Sequence, residues 1–380
     1  MPAPDTLARL VEEISPQVVE FRRLLHRHPE PAHREHLTTG LLRDFLTDAG
    51  LEFSGREPRT GGWVDIGDSP RIGFRADIDA LPIREPDDHS PRSEIEGWMH
   101  ACGHDAHAAI AAGVAVVLAR LGPPRGVRVL FQPAEETFPG GAIELVDEGL
   151  VDDLDSLLAF HVDPALRVGR IGARVGAITA GADIIKIVVH GPGGHTSRPH
   201  KTVDVISAAS RVAAELPAAI RNSVDARSAV VTAFGSIHGG DAPNVIPTEV
   251  VLEGTVRTLD AALWDVLPSL VDKILGSILG LSGAGYTLDY RQGIAPVVND
   301  EAVVDRVTSA IRSSVGDETV VPTETSMGGE DFSSYLTVTR GALLRLGAAS
   351  GGGDLHSASF LFNEAAIPIG IHAGVAALLS

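Results

Sequence analysis

DAHAAIAAGVAVVLARLGPPRGVRVLF, residues 105–131, carries the alternation that sets the fold class. Residues 105–121 form a nearly unbroken apolar run with strong helix-forming character, and GPP at 122–124 ends it, because proline cannot donate the N–H that a continuing helix needs. VRVLF (127–131), apolar apart from Arg128, then reads as a short strand of the kind buried in a parallel sheet. The same alternation continues on both sides. Upstream, Leu7, Leu10, Val11 and Ile14 recur at helical spacing, as do Leu37, Leu41, Leu42, Phe45 and Leu46 before a stop at Gly50. WVDIG (63–67), RIGFRAD (71–77) and SLLAFH (156–161) are short apolar strands. The prediction is an α/β fold with a mostly parallel sheet flanked by helices.

From about Asp183 the pattern changes. IIKIVVHG (184–191) reads as a strand, 203–220 as a helix, 229–237 and 249–258 as strands, 261–279 as a helix and 286–293 as a strand. That βαββαβ order matches the ferredoxin-like split-βαβ sandwich, a unit of suitable size for an inserted domain. The expected division is 1–180 with 293–380 as one domain and 181–292 as the insert. GALLRLGA (341–348) and AAIPIGIHAGVAALL (365–379) complete the first domain.

Bulk properties narrow the function. A chain of 380 residues, 44% hydrophobic, can hold two domains with full cores. Its formal charge of −19 opposes nucleic-acid and anionic-membrane binding and leaves small-molecule chemistry. The opening MPAPDTLARLVEEISPQ lacks the features of a secretory signal, and no later stretch reads as a bilayer span, so a cytoplasmic protein is expected. A single cysteine, Cys102, excludes an internal disulfide and is a buried bystander, a nucleophile or a metal ligand.

In HACGHD, Cys102 and His104 lie two apart, so an extended segment would point both the same way, and thiolate with imidazole suits a borderline-soft ion such as zinc. An isolated pair of this kind would read instead as a small buried cysteine beside a structural histidine. Glu135 and Glu136 follow an apolar strand, where open α/β sheets place their ligand sites. Successive side chains diverge there, so one carboxylate can bind metal while its neighbour serves as general base; a solvated turn is the alternative. His161 ends the next strand at the same expected edge.

FRADIDALPI, MHACGHDAH, FQPAEE, the strand ending at His161, GPGGHTSRPH, APNVIP, GTVRT, SMGGEDF and LHSASF occur in an order that resembles the M20 metallopeptidases over nearly the whole length. The similarity is to the amidohydrolase branch of hippurate hydrolases, auxin-conjugate hydrolases and N-acetyldiaminopimelate deacetylases. It implies two divalent metal ions held by Cys102, His104, Glu136, His161 and His356, with Glu135 as catalytic acid/base. Zinc is the first expectation, and manganese, cobalt or nickel would suit the oxygen and imidazole ligands. It implies too that the insert mediates homodimerisation, that His195 reaches the partner's active site to polarise the scissile carbonyl, and that Asn244 and Arg257 hold the substrate. A surface turn for His195 and an exposed strand position for Arg257 are the plain alternatives. Asp77 and Asp79 are expected near the metals as acceptors, Asp105 as orienter of a ligand histidine or as helix cap, and His100 and His107 as structural.

The chain departs from the family pattern at Ala358, where a proline commonly follows LHS, and at Asn363, where an acid is common. The expected activity is hydrolysis of the amide bond in small N-acyl amino acids. The rivals are a dipeptidase or aminopeptidase using the same metals, and a metal-binding protein without catalysis.

Overall fold

The computed structural model describes residues 4–380. Two compact units divide them: residues up to Gly176 with Val298–Glu324 and Asp331–Ser380, and Ala177–Val297 with Thr325–Glu330. The predicted insert lies inside the second unit, which also takes in part of SMGGEDF, a segment that no periodicity set apart.

The first unit is built on an eight-stranded sheet in the order Phe53–Gly55, Gly62–Ile66, Gly126–Gln132, Pro70–Asp77, Ser156–Asp163, Arg340–Gly347, Ile171–Ala173, Val320–Pro322. The four long central strands are mutually parallel, and the antiparallel pairings lie toward the edges. These central strands are buried along nearly their whole length, which explains their predominantly apolar sequence. The helix Pro4–Arg27 runs on through Pro16, and together with His104–Leu121 and Ala366–Leu378 it packs into the core. Close approach of these helices requires a small residue: a Cβ on Gly113 would lie 2.8 Å from Ile371 Cδ1 and 3.0 Å from Val18 Cγ2.

The helix His104–Leu121 is long and apolar enough, by length and composition, to cross a membrane. Every residue from His104 to Leu118 is buried in the unit's core, so its apolarity serves packing.

The second unit has a four-stranded antiparallel sheet in the order Val230–His238, Glu249–Thr258, Gly181–His190, Gly285–Ile294. Taken in chain order, the strands lie second, third, first, fourth across the sheet, as a split-βαβ unit requires. Ile185, Ile187 and Val189 alternate inward and share a core with the helices Val205–Ser223 and Ala261–Leu279. Each of these helices begins at an aspartate, Asp204 or Asp260, whose side chain accepts a backbone N–H of the first turn.

Candidate metal centre

The carboxyl ends of the central strands supply most of the site. Pro70–Asp77 leads to Asp79, Gly126–Gln132 leads to Glu135 and Glu136, and Ser156–Asp163 contains His161 within the strand, not at its end.

Cys102 and His104 converge for a reason other than strand alternation. Gly103 takes a left-handed φ of +79° and the helix starts at His104, so the chain turns between the two side chains. A Cβ at Gly103 would approach Val162 Cγ2 to 2.5 Å, so conformation and space both require glycine. The donor atoms of Cys102, His104 and His161 lie within 4.8 Å of one another, as do those of Cys102, Glu136 and His356, and those of His104, Glu135 and Glu136. Each triad shares a member with the others, so the six residues form one cluster.

Glu135 and Glu136 do not diverge as adjacent strand residues would. Ala134, with φ +56°, turns the chain out of the strand, and a carboxylate oxygen of each glutamate lies 3.9 Å from His104 Nε2. His356, with φ +59°, sits in a loop tied by its N–H to the Ala101 carbonyl at 2.9 Å. Its Nε2 stands 3.2 Å from Cys102 Sγ and 3.1 Å from a Glu136 oxygen.

Surrounding groups fix which ring nitrogens face the cluster. His104 Nδ1 lies 2.9 Å from the Asp79 carbonyl, and His161 Nδ1 lies 2.8 Å from the Val162 carbonyl, so each donates its proton outward. Both Nε2 atoms therefore turn inward. His104 Nε2 is buried and has no hydrogen-bond partner among the described residues. Asp79 also accepts the Glu136 N–H at 2.9 Å and thereby ties two segments of the site together.

Electrostatics favour a cation here. Burial opposes charge on His104, but Asp77 and the bond to Asp79 outweigh it and hold its pKa well above the ordinary range. Burial likewise opposes ionisation of Asp77, yet His104, Arg75 and His107 keep it a carboxylate. Burial pushes the Cys102 thiol well up, and burial with His107 and Arg345 pushes His161 well down. The bond to Glu136 raises His356. An environment that favours a proton on His104 Nε2 also favours a metal ion there, and one thiol, three imidazoles and a carboxylate form a donor set suited to borderline divalent ions.

The neighbouring residues have distinct places. His107 Nδ1 bonds Asp77 at 2.6 Å and its Nε2 accepts the Val162 N–H at 2.9 Å, so both nitrogens are engaged in holding the strand. Asp105 neither caps the helix nor orients a ligand histidine. Its carboxylate takes Arg22 Nε at 2.7 Å and His26 Nδ1 at 2.8 Å. Gln132, Arg75 and Asp331 form a buried polar floor, with Arg75 2.6 Å from Asp77 and 3.0 Å from Asp331. Asn363 bonds the Ala349 carbonyl and accepts the Ala365 N–H, giving that departure from the family pattern a local structural role.

His195, Asn244 and Arg257 belong to the second unit. His195 is exposed on a short ribbon paired with Val245, and Thr196 N–H bonds the Asn244 carbonyl at 3.1 Å, so His195 and Asn244 are neighbours. Arg257 is half-buried and donates to the Met327 carbonyl at 2.7 Å.

Residues 73–380 match the family model for peptidase family M20/M25/M40. The chain belongs to this peptidase family. It is 38% identical over 301 residues to an N-acyl-L-amino acid amidohydrolase of Geobacillus stearothermophilus, covering 78% of this chain and 81% of that one. It is 33% identical over 356 residues to an N-acetyl-L-cysteine deacetylase of Bacillus subtilis (strain 168), covering 92% and 85%. A 39% identical match covers 95% of this chain but only 46% of a Rhodococcus jostii (strain RHA1) protein that bears a glutamate–cysteine ligase name. The chain thus spans less than half of that relative. A Bacillus subtilis M20 structure described as a dinuclear metal-binding peptidase superposes with a TM-score of 0.84 at 30% identity, covering 96% of this chain and 98% of that one.

Proposed function

We propose that this chain is a metal-dependent amidohydrolase that cleaves the amide bond of N-acetyl or N-aroyl amino acids, releasing a carboxylic acid and an amine. The observation that carries the reading is the buried His104 Nε2, without a hydrogen-bond partner among the described residues, clustered with Cys102, Glu136 and His161. The names of the amidohydrolase and deacetylase relatives support the substrate class.

Cys102, His104, Glu136, His161 and His356 would hold two divalent ions, zinc by preference for the thiolate, with manganese, cobalt or nickel as substitutes. Such ions supply Lewis acidity and bring the pKa of water toward neutrality. Glu135 takes the proton of the attacking water and hands it to the departing nitrogen. His195 Nδ1 accepts the Ser197 N–H at 3.1 Å, which places the ring proton of the neutral form on Nε2, ready to donate to the carbonyl oxygen as it gains charge. Arg257 and Asn244 hold the substrate, the arginine through its carboxylate. The protein works as a cytoplasmic homodimer, with 1–180 and 293–380 as the catalytic domain and 181–292 as the dimerisation and lid domain. His195 of one subunit serves the other's centre.

The test is hydrolysis of a panel of N-acetyl and N-benzoyl amino acids against free dipeptides, with and without a chelator, with metal content measured on the same preparation. The expected result is chelator-sensitive cleavage of the N-acyl compounds. Preference for free dipeptides would replace this reading with a dipeptidase, and inertness of the metal-loaded protein would leave a non-catalytic binder.

A further inference from the structure

We propose that Glu35 is a positioning residue that sets the carboxylates of Glu135 and Glu136, an inference that rests on the metal-centre reading above. Glu35 precedes the helix His36–Asp48 and is fully buried. Its Oε1 accepts the Ala134 N–H at 2.8 Å and the His33 N–H at 3.0 Å, and its Oε2 accepts the Thr60 hydroxyl at 2.6 Å. A buried carboxylate with such partners is costly to misplace, because any partner left unpaired loses its hydrogen bond without gaining water.

The bond to Ala134 falls on the residue that decides where the glutamates point. Ala134 is left-handed, a conformation that non-glycine residues adopt only when their surroundings enforce it. Glu35 grips its N–H, and the Gly141 N–H grips its carbonyl at 2.8 Å. One residue beyond Glu135, the Glu136 N–H is taken by Asp79 at 2.9 Å. The Glu135–Glu136 pair is therefore slung between two buried carboxylates. An extended chain would send these side chains to opposite faces, whereas here both come to 3.9 Å from His104 Nε2. The support continues behind Glu35. Its own carbonyl accepts the Thr39 hydroxyl at 2.6 Å, and Thr39 Oγ1 accepts the N–H of Gly61, where a Cβ would lie 2.5 Å from the Phe131 carbonyl oxygen.

The experiment compares Glu35→Ala, Glu35→Gln, Ala134→Gly and the double variant Glu35→Ala/Ala134→Gly. It reads kcat and KM at saturating metal together with the absorption spectrum of the cobalt-loaded protein. Glu35→Ala is expected to lower kcat roughly 10- to 100-fold with KM nearly unchanged, and to alter the cobalt spectrum, since displaced carboxylates change both proton transfer and ligation. Glu35→Gln, whose amide oxygen can still accept the Ala134 N–H, is expected to keep most of the activity and the wild-type spectrum. Adding Ala134→Gly to Glu35→Ala is expected to recover part of kcat, because glycine adopts the left-handed turn without enforcement. The proposal is overturned if Glu35→Ala keeps wild-type kcat and spectrum, if Glu35→Gln is as impaired as Glu35→Ala, or if activity falls only with the fraction unfolded. A wild-type protein that neither binds cobalt nor hydrolyses the panel would instead refute the metal-centre reading.

Discussion

His104 faces two environments: its Nδ1 proton is committed to Asp79, while Nε2 lies in a pocket of carboxylates and sulfur where an ion can replace a proton. Glu135 occupies the same cluster as Glu136, and the account gives the two different work. Glu135→Gln keeps size and burial but cannot take up a proton, so metal content should stay close to that of the wild type while kcat falls about 10²- to 10⁴-fold. Elemental analysis and steady-state kinetics on one preparation check this; near-normal turnover would remove Glu135 from proton transfer. Several of these roles were legible in the sequence, because Cys102, His104 and the glutamate pair each stand beside a strong apolar run. His356 was not. It comes from a left-handed loop position 254 residues from Cys102, with no periodicity to mark it, and only family resemblance singled it out. Glu35 gave no signal either, since a lone glutamate in a polar segment looks like a solvated side chain.

Between elements, a buried relay links the long N-terminal helix to the helix that begins at His104. Asp105 holds Arg22 and His26, and His26 Nε2 reaches Glu85 at 2.9 Å. Sequence alone suggested a cap or an orienter of a ligand histidine at Asp105, because the partners that claim it lie 79 and 83 residues away in a helix read only for its apolar stripe. Burial and Arg22 oppose charge on His26, but its bonds to Asp105 and Glu85 prevail and raise its pKa above the ordinary value of 6.5. Burial opposes ionisation of Glu85, and His26 lowers its pKa nonetheless. The His26 contribution to stability is thus complete below its unfolded pKa and is lost as pH rises through the raised folded value. The Glu85 contribution is present above its unfolded pKa and is lost as pH falls through the lowered folded value. His26→Gln should therefore cost about 3 kcal/mol near pH 6 and less near pH 9, because His26 supplies a compensating positive charge to Asp105 and Glu85 only while it is protonated. Unfolding curves of the two proteins at both pH values test it; an equal penalty would mean that His26 carries no charge in the fold.

For the whole molecule, strand and helix order was readable because burial imposes period: mostly apolar strands in the parallel sheet, alternating ones in the four-stranded sheet. The assignment of Thr325–Glu330 to the second unit was not readable, since it depends on contacts such as Arg257 with the Met327 carbonyl. If His195 acts across a dimer, mixing inactive His195→Ala with inactive Glu135→Gln and allowing subunits to exchange should restore roughly a quarter of the native activity, from the mixed dimers that retain one intact site. Exchange without recovery would place His195 within its own subunit or outside the chemistry. The central claim, that amide hydrolysis depends on ions held by the Cys102–His356 cluster, is tested most directly by titrating zinc or manganese into chelator-treated protein while following cleavage of an N-acyl amino acid. No turnover is expected without metal, with a rate that rises to a plateau at two ions per chain; full activity in the metal-free protein, or none at any loading, would rule this out.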